Sequence, residues 1–264
     1  MNHLETQKLT LAYEGAPIVR NLNLSIPTGK ITVLVGANGC GKSTLLRGLA
    51  RLLKPQSGTV YLDGKDISRL DSKTVAQRLA MLTQSPTAPF GLTVKDLVAM
   101  GRYPYQNWLQ PSSKEDQAKI QEALSITTLT ELADQPLDSL SGGQRQRAWI
   151  AMVLAQDTNI LLLDEPTTYL DLAHQVELLD LLQLLHQTKG KTIVMVLHDL
   201  NLACRYADYL IAVQKGKVYG VGTPQQVMTE VMVQEVFGLK CQIIPDPIAG
   251  TPMCIPIGRR VRRN

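Results

Sequence analysis

Eight residues near the start of the chain, Gly36-Ala37-Asn38-Gly39-Cys40-Gly41-Lys42-Ser43, have the types and spacing needed to hold a phosphate chain. Glycines let main-chain N–H groups close around β- and γ-phosphates at the N-terminus of a helix, where the helix dipole favours negative charge. Lys42 adds a point charge and the Ser43 hydroxyl can hold Mg2+, while Asn38, Gly39, Cys40, Gly41 and Thr44 complete the expected cradle. A shuffled chain of this composition carries the pattern about one time in a hundred. The apolar run Ile31 to Val35 before it and the helical pattern Ser43 to Leu53 after it supply the strand and helix that the mechanism requires.

A second candidate is Ile160-Leu161-Leu162-Leu163-Asp164-Glu165, an apolar strand ending in two carboxylates. Strand ends of this kind line the edge where α/β sheets bind ligands. Asp164 would serve a metal through water, and Glu165 would polarise an attacking water as general base beside a γ-phosphate. Read alone, the pair serves equally well as a strand end and turn; beside a phosphate loop it acquires a task. In Leu140-Ser141-Gly142-Gly143-Gln144, Ser141 is placed to cap a helix with Gln144 at the third position, and Gly142 and Gly143 expose N–H groups at its positive end. Two phosphate cradles and one hydrolytic pair suggest that the second cradle serves another subunit's nucleotide.

These residues need a scaffold. Ile31 to Val35, Ile160 to Leu163 and Thr192 to Leu197 are apolar throughout, as strands buried on both faces of a parallel sheet are. Helical patterns follow each of them, at Ser43 to Leu53, Leu170 to His186 and Asn201 to Ala207, which indicates an α/β core. Leu9 to Tyr13, Ile18 to Ile26 and Thr59 to Leu62 are short pieces between turn residues and suit an N-terminal antiparallel sheet. From about Ser85 to Gln156 no strand signal survives, and Thr93 with Asp96 and Ser113 with Asp116 open helices as capping boxes. The expected organisation is an α/β core with the antiparallel sheet over 1–86 and 157–240, a helical insertion over 87–156, and a C-terminal hairpin with a basic tail over 241–264.

Composition excludes several classes. With 44% hydrophobic and 19% charged residues in 264, the chain is neither disordered nor collagen-like. The net charge of +4 is concentrated in Arg259, Arg260, Arg262 and Arg263, so a nucleic-acid-binding face is not expected. Cys40, Cys204, Cys241 and Cys254 form neither a zinc pattern nor a disulfide framework. The start lacks a secretory h-region, and the longest apolar run, Ala148 to Ala155, is too short to cross a bilayer. His3, His174 and His186 are expected in solvated roles.

Over essentially its whole length the chain resembles the ATP-binding subunits of ABC transporters, with Gly36 to Ser43 as Walker A, Ile160 to Glu165 as Walker B and Leu140 to Gln144 as the signature motif. The resemblance implies a P-loop NTPase core that binds ATP and Mg2+. It further assigns Tyr13 to stacking on adenine, Gln84 to sensing Mg2+ and the membrane partner, His198 to the γ-phosphate switch, and Asp171 to the loop crossing a dimer interface. Tyr169 stands where the family has a small residue. Catalytic work thus falls to Glu165, His198, Lys42 and Gln84, and the metal to Ser43, Gln84 and Asp164.

Within the family the chain is similar to importers of ferric siderophores, haem and vitamin B12, on Gly101 to Tyr105, Arg145 to Met152, Pro166 to Asp171 and Ile244 to Arg259. That likeness implies a peripheral ATPase at the cytoplasmic side of the plasma (inner) membrane: a homodimer beneath two permease subunits, fed by an extracytoplasmic binding protein, acting on a ferric siderophore rather than haem or cobalamin. A soluble ABC ATPase acting on DNA or ribosomes would carry a coiled-coil insertion or a second Walker A, and a P-loop kinase would leave Leu140 to Gln144 without a task. Two local expectations accompany this reading. Arg102, Tyr103 and Tyr105 around Pro104, near Gln84, form a permease-docking surface. Cys40, near Lys42 and a helix start, is a reactive thiolate open to small electrophiles.

Overall fold

The computed structural model describes residues 3–106, 113–168 and 170–258; Tyr169 and the tail arginines 259, 260, 262 and 263 lie outside them. Along the chain run strands β1 (Leu4–Leu11), β2 (Val19–Ile26) and β3 (Ile31–Val35), helix α1 (Lys42–Leu49), β4 (Ser57–Leu62), β5 (Lys65–Asp66), α2 (Ser72–Ala76) and β6 (Leu79–Leu82). Helices α3 (Val94–Met100), α4 (Lys114–Ile126) and α5 (Gly142–Ala155) precede β7 (Ile160–Leu163), α6 (Leu172–Lys189), β8 (Thr192–Val196) and α7 (Leu200–Tyr206). The remainder is β9 (Tyr209–Gln214), β10 (Lys217–Gly222), α8 (Pro224–Val227), α9 (Glu230–Phe237), β11 (Cys241–Pro245) and β12 (Pro252–Pro256). The chain divides into two units, Met1–Ser68 with Val194–Asn264, and Arg69–Ile193.

In the first unit an antiparallel sheet of order β2-β1-β4-β5 buries one face. On β1 the buried side chains are Leu4 and Thr6, then Leu9 and Leu11, so the alternation changes phase midway. The cause is an irregularity in the β1–β2 register between Thr6 and Leu9, where Lys8 adopts a left-handed φ of 47°; one extra residue returns the apolar set to the same face. The other sheet of this unit has the order β10-β9-β3-β8, with β3 and β9 parallel and every residue of β3 and β8 buried. Leu197 N donates to Leu34 O (3.4 Å), so these two strands end side by side. The hairpin β11–β12 is fastened to α7: Asn201 Oδ1 accepts from Cys254 N (2.8 Å), and Arg205 pairs with Asp246 (2.6 Å).

In the second unit β6 and β7 pair in parallel, Leu79 opposite Ile160 through Leu82 opposite Leu163. Between them, among the described residues, lie helices without a strand. Helices α3, α4 and α5 each open with a complete capping box, Thr93–Asp96, Ser113–Asp116 and Ser141–Gln144. They share a core that includes Leu97, Val98, Ile120, Leu124, Ile150 and Val153. The fold is thus the expected α/β class, with an antiparallel β subdomain and helices inserted between two parallel strands.

The expected docking role of Arg102 does not hold. Arg102 is 2% exposed; its Nε donates to Asp116 Oδ1 (2.7 Å), its Nη1 donates to Ala155 O (2.9 Å), and its guanidinium lies 3.9 Å from the centre of the Tyr105 ring. A guanidinium out of water needs a carboxylate and carbonyls, and Arg102 finds both within the helical insertion, joining the start of α4 to the last turn of α5. Tyr103 remains exposed.

Candidate active site

In the first unit β3 feeds directly into the phosphate-loop sequence. A Cβ on Gly36 (φ +155°) would stand 2.3 Å from Val213 O and 2.8 Å from Cys40 Sγ, so only glycine fits there. Gly41 (φ +106°) is the N-cap of α1, which begins without a side-chain cap and without an acid in its first turn. The three capped helices of the insertion satisfy their first N–H groups internally; the start of α1 is instead shaped for an external anion. Lys42 is 5% exposed, and its ammonium donates to Gly36 O (2.7 Å) and Ala37 O (3.1 Å), which lays the charge along the loop. Asn38 and Gly39 are exposed, Ser43 is half-buried and Thr44 is buried. Tyr13 is half exposed, and its hydroxyl accepts from Arg47 (3.2 Å). Because β3 and β8 end together, His198 leaves the sheet at the edge where the loop begins, and the following Asp199 caps α7.

Cys40 does not occupy the open position expected of it. The side chain is 7% exposed, turned under Gly36, with its Sγ 3.9 Å from Lys42 Nζ. The glycine turn that exposes main-chain N–H groups on one side places this small side chain on the other.

In the second unit the parallel register carries Gln84 and Glu165 to matching positions, each two residues beyond the paired Leu82 and Leu163. Gln84 Nε2 donates to Glu165 Oε2 (2.6 Å), and Thr168 Oγ1 donates to the same oxygen (3.1 Å). Glu165 holds a left-handed φ of 52°, a strained conformation for a non-glycine residue. Asp164 is 1% exposed, with its N–H bonded to Leu82 O (2.9 Å). A carboxylate so buried is kept by hydrogen bonds, a paired charge or a metal. The Asp164 carboxylate and the Gln84 amide oxygen in this unit, like the Ser43 hydroxyl in the first, are each hard oxygen donors of the kind that Mg2+ takes.

The signature residues form the start of α5: Ser141 Oγ accepts from Gln144 N (3.2 Å), and Gln144 Oε1 accepts from Ser141 N (3.0 Å). Gly142 faces open space. Asp171 is the N-cap of α6, and its Oδ1 accepts from both His174 N (3.0 Å) and His174 Nδ1 (2.7 Å). These bonds, the main-chain one first, hold the Asp171 carboxyl below its ordinary value. Sequence reasoning set His174 aside as solvated and passed over Thr168 and Gln146; the one local signal was the three-residue step from Asp171 to His174 on a helix.

Residues 19–168 match the family model described as ABC transporter, more than half of the chain. The chain belongs to the ABC transporter family. It is 57% identical over 263 residues to the petrobactin import ATP-binding protein FpuD of Bacillus anthracis, covering 99% of this chain and 96% of that protein. It is also 52% identical over 256 residues to the ferric enterobactin transport ATP-binding protein FepC of Escherichia coli (strain K12), covering 97% and 94%. Among solved structures, a metal-chelate type ABC transporter in an inward-facing conformation superposes with a TM-score of 0.84 at 30% identity, covering 98% of both chains. A dimeric bacterial ABC transporter cassette, MJ0796, superposes at 0.75 with 30% identity, over 83% of this chain and 98% of that one. The family resemblance read from Gly36 to Ser43, Leu140 to Gln144 and Ile160 to Glu165 is therefore borne out, and the chain is an ATP-binding ABC ATPase. Among the described residues no helix is long and apolar enough to cross a membrane.

Proposed function

We propose that this ATPase powers import of an iron complex of the ferric-siderophore class. It works as a head-to-tail homodimer docked at the cytoplasmic face of the plasma membrane on two permease subunits, with an extracytoplasmic binding protein delivering the cargo. Full-length likeness to FpuD and FepC supports the cargo class, and the dimeric cassette MJ0796 supports the assembly. In this reading the segments 1–86 and 157–240 form the nucleotide core, 87–156 the signature subdomain and 241–264 a C-terminal appendage.

Each ATP lies between Gly36 to Thr44 of one chain and the N-terminus of α5 of the other, with Tyr13 against the adenine. Lys42 and the first-turn N–H groups of α1 neutralise the phosphates, and Ser141 to Gln144 supply N–H groups from the opposite side. Ser43, Asp164 and Gln84 would hold Mg2+, which supplies charge neutralisation at the transferred phosphoryl group. Glu165 accepts the proton of the attacking water, and Gln84 and Thr168 fix the carboxylate for that purpose. His198 orients toward the γ-phosphate, and Asp171 reaches across the interface.

The carrying observation is the Glu165 carboxylate held by two donors at a strained backbone position. Glu165→Gln keeps the size and removes the base, so ATP binding persists while hydrolysis falls by about 10²–10⁴. Lys42→Ala instead weakens nucleotide binding. Wild-type turnover by Glu165→Gln would remove Glu165 from the role. Uptake of labelled ferric siderophore, haem and cobalamin by cells lacking and regaining this chain tests the cargo; restoration of haem or cobalamin uptake alone overturns the siderophore assignment.

A further inference from the structure

His174 sits where two helices of the second unit meet. On α6 its imidazole Nδ1 lies 2.7 Å from Asp171 Oδ1, in addition to the ordinary N-cap bond from its main-chain N–H (3.0 Å). Any residue at this position supplies the main-chain bond; only a side chain with a donor at the Nδ1 position supplies the other. On the α5 side the same ring lies over Gly143, where a Cβ would stand 3.5 Å from His174 Cδ2. One turn further along, Arg147 of α5 approaches Glu177 of α6 at 3.8 Å, and Gln146 Nε2 donates to Pro166 O (2.8 Å), next to Glu165. These same side chains, with Thr128, Leu170 and Leu181, line a cavity of about 170 Å³. Close packing therefore does not lock α5 to α6 here, and the link depends on these few side chains.

We propose that His174 is a positioning residue that ties the Asp171 carboxylate to the N-terminus of the signature helix, so that both move as one piece. This rests on the dimer reading above, in which α5 serves the partner's ATP while Glu165 serves the chain's own. Gln146 fixes α5 to the residue after Glu165, and His174 fixes it to Asp171, so the start of α5 is held at both ends of the loop that runs from the general base to the interface aspartate. A displaced Asp171 drags the N–H groups of α5 with it, and misplacement of such groups lowers turnover more than nucleotide affinity.

The test compares His174→Asn, whose amide N–H takes the position of Nδ1, with His174→Phe, which keeps a ring over Gly143 and loses the donor, and with His174→Ala. ATPase kinetics are measured on the full chain, with Glu165→Gln in parallel. The link needs both the ring over Gly143 and the donor to Asp171, so His174→Phe, His174→Asn and His174→Ala should each lose on the order of tenfold in kcat at an ATP KM within about twofold of wild type. Wild-type kcat in His174→Asn, which would make the ring contact with α5 idle, wild-type kcat in His174→Phe, which would make the Asp171 bond idle, or a change confined to KM overturns the positioning role. Wild-type turnover by Glu165→Gln would instead bring down the underlying site reading, so the two failures are distinguishable.

Discussion

Replacing Arg102 by Met keeps the aliphatic stem and deletes the guanidinium from a site where its side chain is 3% exposed and that of its partner Asp116 is 6% exposed. Removing one member of a buried ion pair costs about 3–5 kcal/mol, because the other is left charged and out of water. The Ala155 carbonyl at the end of α5 also loses its side-chain donor, which adds about 1 kcal/mol. At ~2–4 °C per kcal/mol for a chain of this size, Arg102→Met should melt about 8–24 °C below wild type. Adding Asp116→Asn should recover roughly half of the loss, since an amide tolerates burial better than an unpaired carboxylate. The pH dependence has a definite sign. Burial alone would raise the Asp116 carboxyl, yet the bonds from Arg102 and Ser113 outweigh it and hold the group below its ordinary value. Without Arg102, protonation relieves the variant sooner, so its deficit narrows as pH falls through the carboxylate range. Circular dichroism melts of wild type, single and double variants across pH 4–8 make the measurement. A single-variant loss under about 1 kcal/mol, or a double variant no better than the single, would refute the buried-pair account.

Two further outcomes follow from the first unit. Arg205 and the main-chain N–H groups of Ile248 and Ala249 lower the Asp246 carboxyl from 3.8 to about 2, so its contribution is complete above the ordinary value and fades as pH falls toward about 2. In Arg205→Gln the hairpin amides should lose hydrogen-exchange protection at higher pH than in wild type; identical profiles would dismiss the pair as an anchor. All four cysteines are buried and burial pushes Cys204 up to about 12, so maleimide should label the native chain far more slowly than the denatured one. Fast labelling of Cys40, blocked by ATP, would restore the reactive reading that its burial overturns.

How far the fold is legible in the residues depends on the range of the interaction. The apolar runs of β3, β7 and β8 are unambiguous because strands buried on both faces need no alternation. β1 is misplaced to Leu9 to Tyr13 because the irregularity at Lys8 breaks the period that betrays a half-buried strand. β6, β9 and β10 go unread: Leu79 to Leu82 is too short to tell from helix, and the other two follow α7 closely, without a turn signal strong enough to separate them.

By itself the sequence determined the chemistry that is local. Phosphate-loop glycines, the apolar strand ending in Asp164 and Glu165, and three capping boxes all act between neighbours within a few residues, so their spacing is their structure. Tertiary structure alone decided which distant groups meet. Gln84 reaches Glu165 across 81 positions through the parallel register of β6 and β7, and the His174 ring finds Gly143 because the first turns of α5 and α6 approach each other. It also decided that Arg102, which beside Tyr103 and Tyr105 has the look of a surface anchor, is instead buried against Asp116. A charged side chain carries no mark of its own burial. Whether it faces water or a carboxylate depends on a partner 14 residues away and on the carbonyl that ends another helix, and only the packed helices bring those together.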